Sequence, residues 1–170
     1  MTEKKPKDGS FVIIPVGKKT HACVVKQNYG KFQWSLPGGG VEKNQNFESA
    51  AIEEALQETG MEVELIKELG IFTARQSKMV VKLFEASPKL GHISFPGTYD
   101  KKEITEQGII SLDPPKDFPI FRAQRMFLQV YKIILENKID STIEDSLSAP
   151  FKNKHLQQWA EETKFYEEKP

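Results

Sequence analysis

The run Leu36-Pro37-Gly38-Gly39-Gly40, with an acidic helical stretch beginning at Phe47, constrains this chain of 170 residues more than any other feature. Proline removes a backbone donor and glycine lets the chain turn and approach a neighbour closely, so regular structure should break here. From Phe47 to Thr59 the pattern predicts a helix. Ala51, Ile52, Ala55 and Leu56 recur at three- and four-residue spacing, and Gly60 stands as a C-terminal stop. Glu54 and Glu58, four residues apart, share one face of that helix, with Gln57 beside them and Ile52 and Leu56 opposite. Two such carboxylates repel by about a few tenths of a kcal/mol. A hard divalent cation, Mg²⁺ or Mn²⁺, reverses that penalty, because it takes carboxylates, backbone carbonyls and phosphate oxygens together. Carbonyls in the glycine bend can join the coordination, and its amides can meet a phosphate oxygen. Gly39 and Gly40 are therefore candidate substrate contacts. The competing account is a solvated acidic face on an amphipathic helix closed by glycine.

Composition narrows the alternatives. The 24 basic and 24 acidic residues cancel, so no global field favours nucleic acid or an anionic membrane. Basic charge is mostly lysine, and arginine occurs only at positions 75, 122 and 125, which argues against an extended phosphate-gripping footprint. Cys23 is the only cysteine, which excludes an internal disulfide and a multi-cysteine zinc site. Its setting, Ala22-Cys23-Val24-Val25, reads as a buried small hydrophobe. No stretch reaches the ~20 apolar residues of a membrane helix. The charged start, Met1 to Lys7, lacks a signal-peptide core, so a cytoplasmic location is expected.

The rest of the chain reads as one domain with an appendage. Residues 1–9 are expected to be a flexible tail, residues 10–137 the domain, and residues 138–170 a C-terminal extension, helical and packed on the domain. Strands are expected over 11–16, with Pro15 at an edge or bulge, and over 20–26, 32–36, 63–72, 78–85 and 103–110. A loop fills 86–98. A second helix is expected over 120–136, and a last one over 154–165. This order implies an α/β/α sandwich with a mixed β-sheet between helices.

Residues 34–61 resemble the Nudix box, whose pattern is G-x5-E-x7-R-E-U-x-E-E-x-G-U with U aliphatic. Gly39 takes the first glycine, Glu54 and Glu58 two of the glutamates, Gly60 the last glycine and Met61 the closing apolar place; the lead-in Trp34-Ser-Leu-Pro-Gly-Gly-Gly-Val-Glu42 also matches. The resemblance implies a Nudix-like fold and a Mg²⁺- or Mn²⁺-dependent pyrophosphohydrolase acting on a nucleoside diphosphate derivative. It also implies a nucleotide-type small-molecule substrate, no nucleic-acid polymer, no membrane and a homodimer. Carried over by position, Glu54 and Glu58 become metal ligands and catalytic residues, with the Gly39 carbonyl as a further ligand. Gln45, Glu53 and Gln57 depart from the pattern, standing where the box has glutamate, arginine and glutamate. Gln57 keeps an oxygen for the metal but no charge, and restoring an acid there is expected to tighten metal binding.

Glu103 and Glu106, ahead of the apolar run Ile109-Ile110, stand where the resemblance places a late-loop general base. Lys26 and Arg75 are candidate phosphate contacts, Arg75 because a planar fork grips two oxygens. Tyr29 is a candidate for stacking on a base. Places where the family's substrate-specific residues fall hold Ser77 and Met79, so substrate identity is not readable. The second functional reading is a catalytically weakened Nudix domain that binds a nucleotide ligand or a protein.

Overall fold

Side-chain alternation along the first strand sets the layering of the molecule. In β1 (Gly9–Ile13) and the residue after it, Val12 and Ile14 point to one apolar cluster while Ile13 points to another. The first cluster lies beneath α1 (Phe47–Thr59) and takes Ala51, Ala55, Cys23, Met61 and Phe84. The second lies beneath α2 (Arg122–Asn137) and takes Met126, Phe127, Val130, Phe72 and Leu83. The computed structural model describes residues 6–137, 139, 142–148 and 150–167.

Between the helices the strands form two sheets rather than one. The remaining strands are β2 (Pro15–Val16), β3 (His21–Gln27), β4 (Trp34–Ser35), β5 (Gly38–Gly40), β6 (Val63–Thr73), β7 (Val80–Pro88), β8 (Ile104–Ser111) and β9 (Ile143–Ser146). A mixed five-stranded sheet runs β5-β1-β7-β6-β9, with parallel pairs β1–β7 and β6–β9. In the other sheet β3 pairs antiparallel with β2, β4 and β8. Pro15 falls at an edge, where its missing donor costs nothing. Lys19, in the turn between β2 and β3, reaches the buried carboxylate of Glu85 on β7 at 2.9 Å and ties the two sheets together.

Three expectations change. The glycine run does not end regular structure: Gly38–Gly40 is strand β5, paired with Phe11, Ser10 and Gly9. A side chain at position 38 would stand 2.4 Å from the Ser10 carbonyl oxygen and the Phe11 ring, so only glycine fits that pairing. On α1 the buried face is Ala50, Ala51, Ala55, Glu58 and Thr59, while Ile52 and Leu56 are exposed. Small alanines win the inward positions because the helix lies close on β1. The expected tail is also shorter, since Asp8 accepts the Val80 and Val41 amides and Lys7 pairs with Glu42 at 2.6 Å. Its residues 1–5 lie outside the described residues.

Beyond α2 the chain supplies a strand and a further helix. β9 extends the mixed sheet, and α3 (Lys154–Thr163) then packs Leu156, Trp159 and Ala160 into the α2-side core. The Asp145 carboxylate accepts the amides of Lys152 and Asn153, and Asn153 caps α3 in turn. Phe151, Trp159 and Phe165 form an aromatic cluster with ring centroids 4.9–6.5 Å apart. The Arg122 guanidinium lies 4.0 Å over the Phe165 ring, joining α2 to the chain's end. Phe151 is buried at the centre of this group. Phe151→Ala should therefore cost about 3–5 kcal/mol, read from the shift in urea midpoint; a change within about 0.5 kcal/mol would mean that the segment hangs loosely.

Candidate active site

Loop geometry at both ends of α1 decides where its acids point. Asn46 caps the start in a reciprocal pair with Ser49, and Gly60 ends it in the left-handed conformation, φ 75°. A side chain at Gly60 would lie 2.8 Å from Pro96 and 2.9 Å from the Thr98 hydroxyl. Glycine here lets the long β7–β8 loop close on the helix end. That loop is then held by the Asp100 amide, which donates to the Gln57 carbonyl at 2.8 Å, and by the Gln107 side-chain amide, which donates to the Glu58 carbonyl at 2.8 Å. Its last residue is Glu103, whose carbonyl accepts the Asn28 amide at 2.7 Å.

These constraints bring Glu54, Glu58 and Glu103 together, each offering a carboxylate oxygen within 4.8 Å of the others. Glu58 is buried, with 2% of its surface exposed, and accepts the Gly38 amide at 3.1 Å. Glu54 lies against Gly39 so closely that a side chain there would stand 2.8 Å from its carboxyl carbon. None of the ion pairs among the described residues includes any of the three. Three converging oxygen donors without a cationic side chain suit a hard divalent ion.

The electrostatics agree with that arrangement. Burial, with the charges of Glu103, Glu53 and Glu42, raises the Glu54 carboxyl from 4.5 to about 7. Burial also pushes Glu58 well above its ordinary range, with Glu54 and Glu103 adding to the rise and the Gly38 amide opposing it. Partial burial raises the Tyr29 phenol, and Glu58, Glu103 and Glu54 push it further, which places that ring beside the cluster.

The other expected residues fall elsewhere. Glu106 and Lys26 face each other across β8 and β3 at 3.4 Å, and Lys26 lies 6.0 Å over the Trp34 ring. That is the α2 side of the sheet, opposite Gln107, so Glu106 does not join the cluster. Gln57 is exposed, and its amide donates to Glu53 at 3.1 Å. Arg75 is exposed in the β6–β7 turn, in a surface hollow with Leu147 and Ser148. Gly40 pairs with Gly9 in the sheet and lies against the Lys7 side chain. Sequence reasoning missed Gln107 and Asp100, which hold the helix end; a lone polar residue on a strand carries no periodic signal.

With this geometry in place, the chain matches the NUDIX domain family over residues 6–126, and it belongs to that family. It is 31% identical over 90 residues to a putative 8-oxo-dGTP diphosphatase of Bacillus subtilis (strain 168), covering 53% of this chain and 59% of that protein. The chain thus spans less than two thirds of that relative's length. Its fold is similar to an ADP-ribose pyrophosphatase from Streptococcus suis 89-1591, with TM-score 0.63 and 19% identity over 82% of this chain and 99% of the other. It is also similar to a C. elegans Ap4A hydrolase, with TM-score 0.59 and 14% identity over 76% and 99% of the two chains. The mixed α/β architecture and the family resemblance read from residues 34–61 both hold. No helix among the described residues is long and apolar enough to cross a membrane.

The raised carboxyl of Glu54 has a signed consequence for stability. A folded-state value near 7 against 4.5 means that the folded protein holds this proton more tightly than the unfolded chain. The stability it contributes is full below about pH 4.5 and is lost as pH rises through about 7. Metal-free wild type should therefore lose more Tm between pH 5 and pH 8 than Glu54→Gln does, by about several degrees. A larger loss in the mutant would show that Glu54 is stabilised as its anion.

Proposed function

We propose that this chain is a divalent-metal-dependent hydrolase that cleaves the pyrophosphate linkage of a nucleoside diphosphate derivative. The observation that carries the reading is the meeting of Glu54, Glu58 and Glu103 at the glycine strand, without a lysine or arginine paired to them. Family membership supports it, as do the names of the relatives, a diphosphatase, a pyrophosphatase and a hydrolase. A bound Mg²⁺ or Mn²⁺ would neutralise pyrophosphate oxygens and acidify water.

The residues divide the remaining work. Glu54 and Glu58 hold the ion, with Glu58 fixed by the Gly38 amide and Glu54 aligned by its contact with Gly39. Glu103 is exposed and enters from a separate loop, so it is free to take a proton from the attacking water as general base. For the organic part of the substrate the candidate surface is the one beside the β3–β4 loop. There a groove of about 530 Å³ is lined by Lys31, Gln33, Lys116, Phe118 and Phe121, a basic and aromatic lining suited to a nucleotide. Tyr29, next in sequence to Gly30 of the groove and within the field of the three acids, is the candidate to stack on the base. Lys26, paired with Glu106 on the face of the sheet away from the cluster, and Arg75, remote in its turn, are weaker candidates for a phosphate contact. Glu106, already paired with Lys26, is set aside as the base. A binding-only role remains the second reading, because Gln45, Glu53 and Gln57 replace three charged box residues and now bond one another.

A panel of nucleoside diphosphate derivatives assayed with Mg²⁺ and Mn²⁺ separates the two. The hydrolase reading expects metal-dependent turnover in which Glu103→Gln lowers kcat about 10²-fold or more with little change in KM, while Glu106→Gln stays near wild type. Nucleotide binding without turnover on any member of the panel would favour the second reading.

A further inference from the structure

The three box departures, Gln45, Glu53 and Gln57, meet in space. The Glu53 carboxylate accepts the Gln45 side-chain amide on one oxygen and the Gln57 side-chain amide on the other, at 3.1 Å for Gln57. Gln45 uses its other end as well, since its carbonyl oxygen accepts the Glu42 backbone amide at 3.0 Å. Its own backbone amide donates to the Glu42 carbonyl at 3.0 Å. A chain of contacts thus runs from the segment after β5, through Gln45, to Glu53 and down one helical turn to Gln57.

The polarity of this chain is fixed at Gln45, whose two ends have different partners. Because the Gln45 oxygen faces Glu42, its nitrogen must face position 53, where only an acceptor can answer it. Gln57 likewise presents a nitrogen to the same carboxylate. A charged acceptor between two amide donors forms stronger bonds than neutral pairs do. A cation at position 53 would meet two donors, and an anion at 45 or 57 would meet the Glu53 anion.

We propose that Glu53 is a positioning residue: an acceptor hub that clamps the segment after the glycine strand to α1 and so holds Gly39 against Glu54. Gly39 is one residue before the end of β5 and Glu54 directly follows Glu53, so the clamp spans the contact that aligns the Glu54 carboxylate. The three departures are one coupled change of hydrogen-bond polarity. Restoring a single family residue therefore harms the site, and restoring all three together repairs it. This revises the expectation that an acid at position 57 alone tightens metal binding. The consequence for the ion rests on the metal-binding reading of Glu54, Glu58 and Glu103.

The test is a mutant cycle on the full chain with two readouts, the Tm of metal-free protein and Mn²⁺ affinity measured by electron paramagnetic resonance without nucleotide. Gln57→Glu and Glu53→Arg should each lower Tm by about 2–4 °C and weaken Mn²⁺ binding about 3–10-fold. The triple variant Gln45→Glu, Glu53→Arg, Gln57→Glu should recover to within about 1 °C and about twofold in affinity. Glu53 and Gln57 are exposed and Gln45 is half-buried, and Glu53→Gln, which keeps the side-chain shape, supplies a milder member of the cycle with an intermediate loss. Effects that simply add, leaving the triple variant the worst, would overturn the hub. So would tighter Mn²⁺ binding in Gln57→Glu, the result expected if charge alone mattered. Failure of the wild type to bind Mn²⁺ at all would strike the metal reading instead, and the Tm cycle would still decide whether the hub exists.

Discussion

The site depends on how closely bare backbone can approach a helix. Strand β5 is three glycines, and two of them touch the acids of α1: Gly38 through its amide to Glu58, Gly39 through van der Waals contact with Glu54. A methyl group at either position would collide, at position 38 with β1 and at position 39 with the Glu54 carboxylate. The same closeness explains why α1 turns alanines inward and leaves Ile52 and Leu56 exposed. A helix packed on larger residues would stand too far off for its carboxylates to meet the strand.

That closeness carries an electrostatic penalty. Glu58 is almost fully buried, and among the described residues only the Gly38 amide bonds to its carboxylate. A buried anion with one hydrogen bond and two acidic neighbours favours its protonated form, which is why both helix acids hold their protons unusually tightly. A bound cation would remove the conflict. The raised proton affinity of these carboxyls and their fitness for a cation are one property viewed from two sides.

Much of this was legible in the sequence, for reasons that can be stated residue by residue. The Pro-Gly-Gly-Gly run, the four-residue spacing of Glu54 and Glu58 and the stop at Gly60 are local signals, and each marks a real element. Glu103 could be nominated but not distinguished from Glu106, because the fold separates them: Glu103 ends the β7–β8 loop that closes on α1, while Glu106 lies within β8 opposite Lys26. The strand character of Gly38–Gly40 was hidden, since glycine has no strand propensity and β1 supplies the pairing. β9 escaped notice because four residues pairing with a distant strand leave no periodic trace. The departures at 45, 53 and 57 read in the sequence as three separate losses, and the fold brings their side chains together on one carboxylate.

The central claim is that Glu54 and Glu58, aligned by the glycine strand, share one divalent ion beside Glu103. Anomalous diffraction from crystals soaked in Mn²⁺ tests it most directly. The account predicts a peak at coordinating distance, about 2–2.4 Å, from oxygens of both helix acids. A peak seated instead on Glu53 and Gln57, or none at concentrations that support turnover, would contradict it.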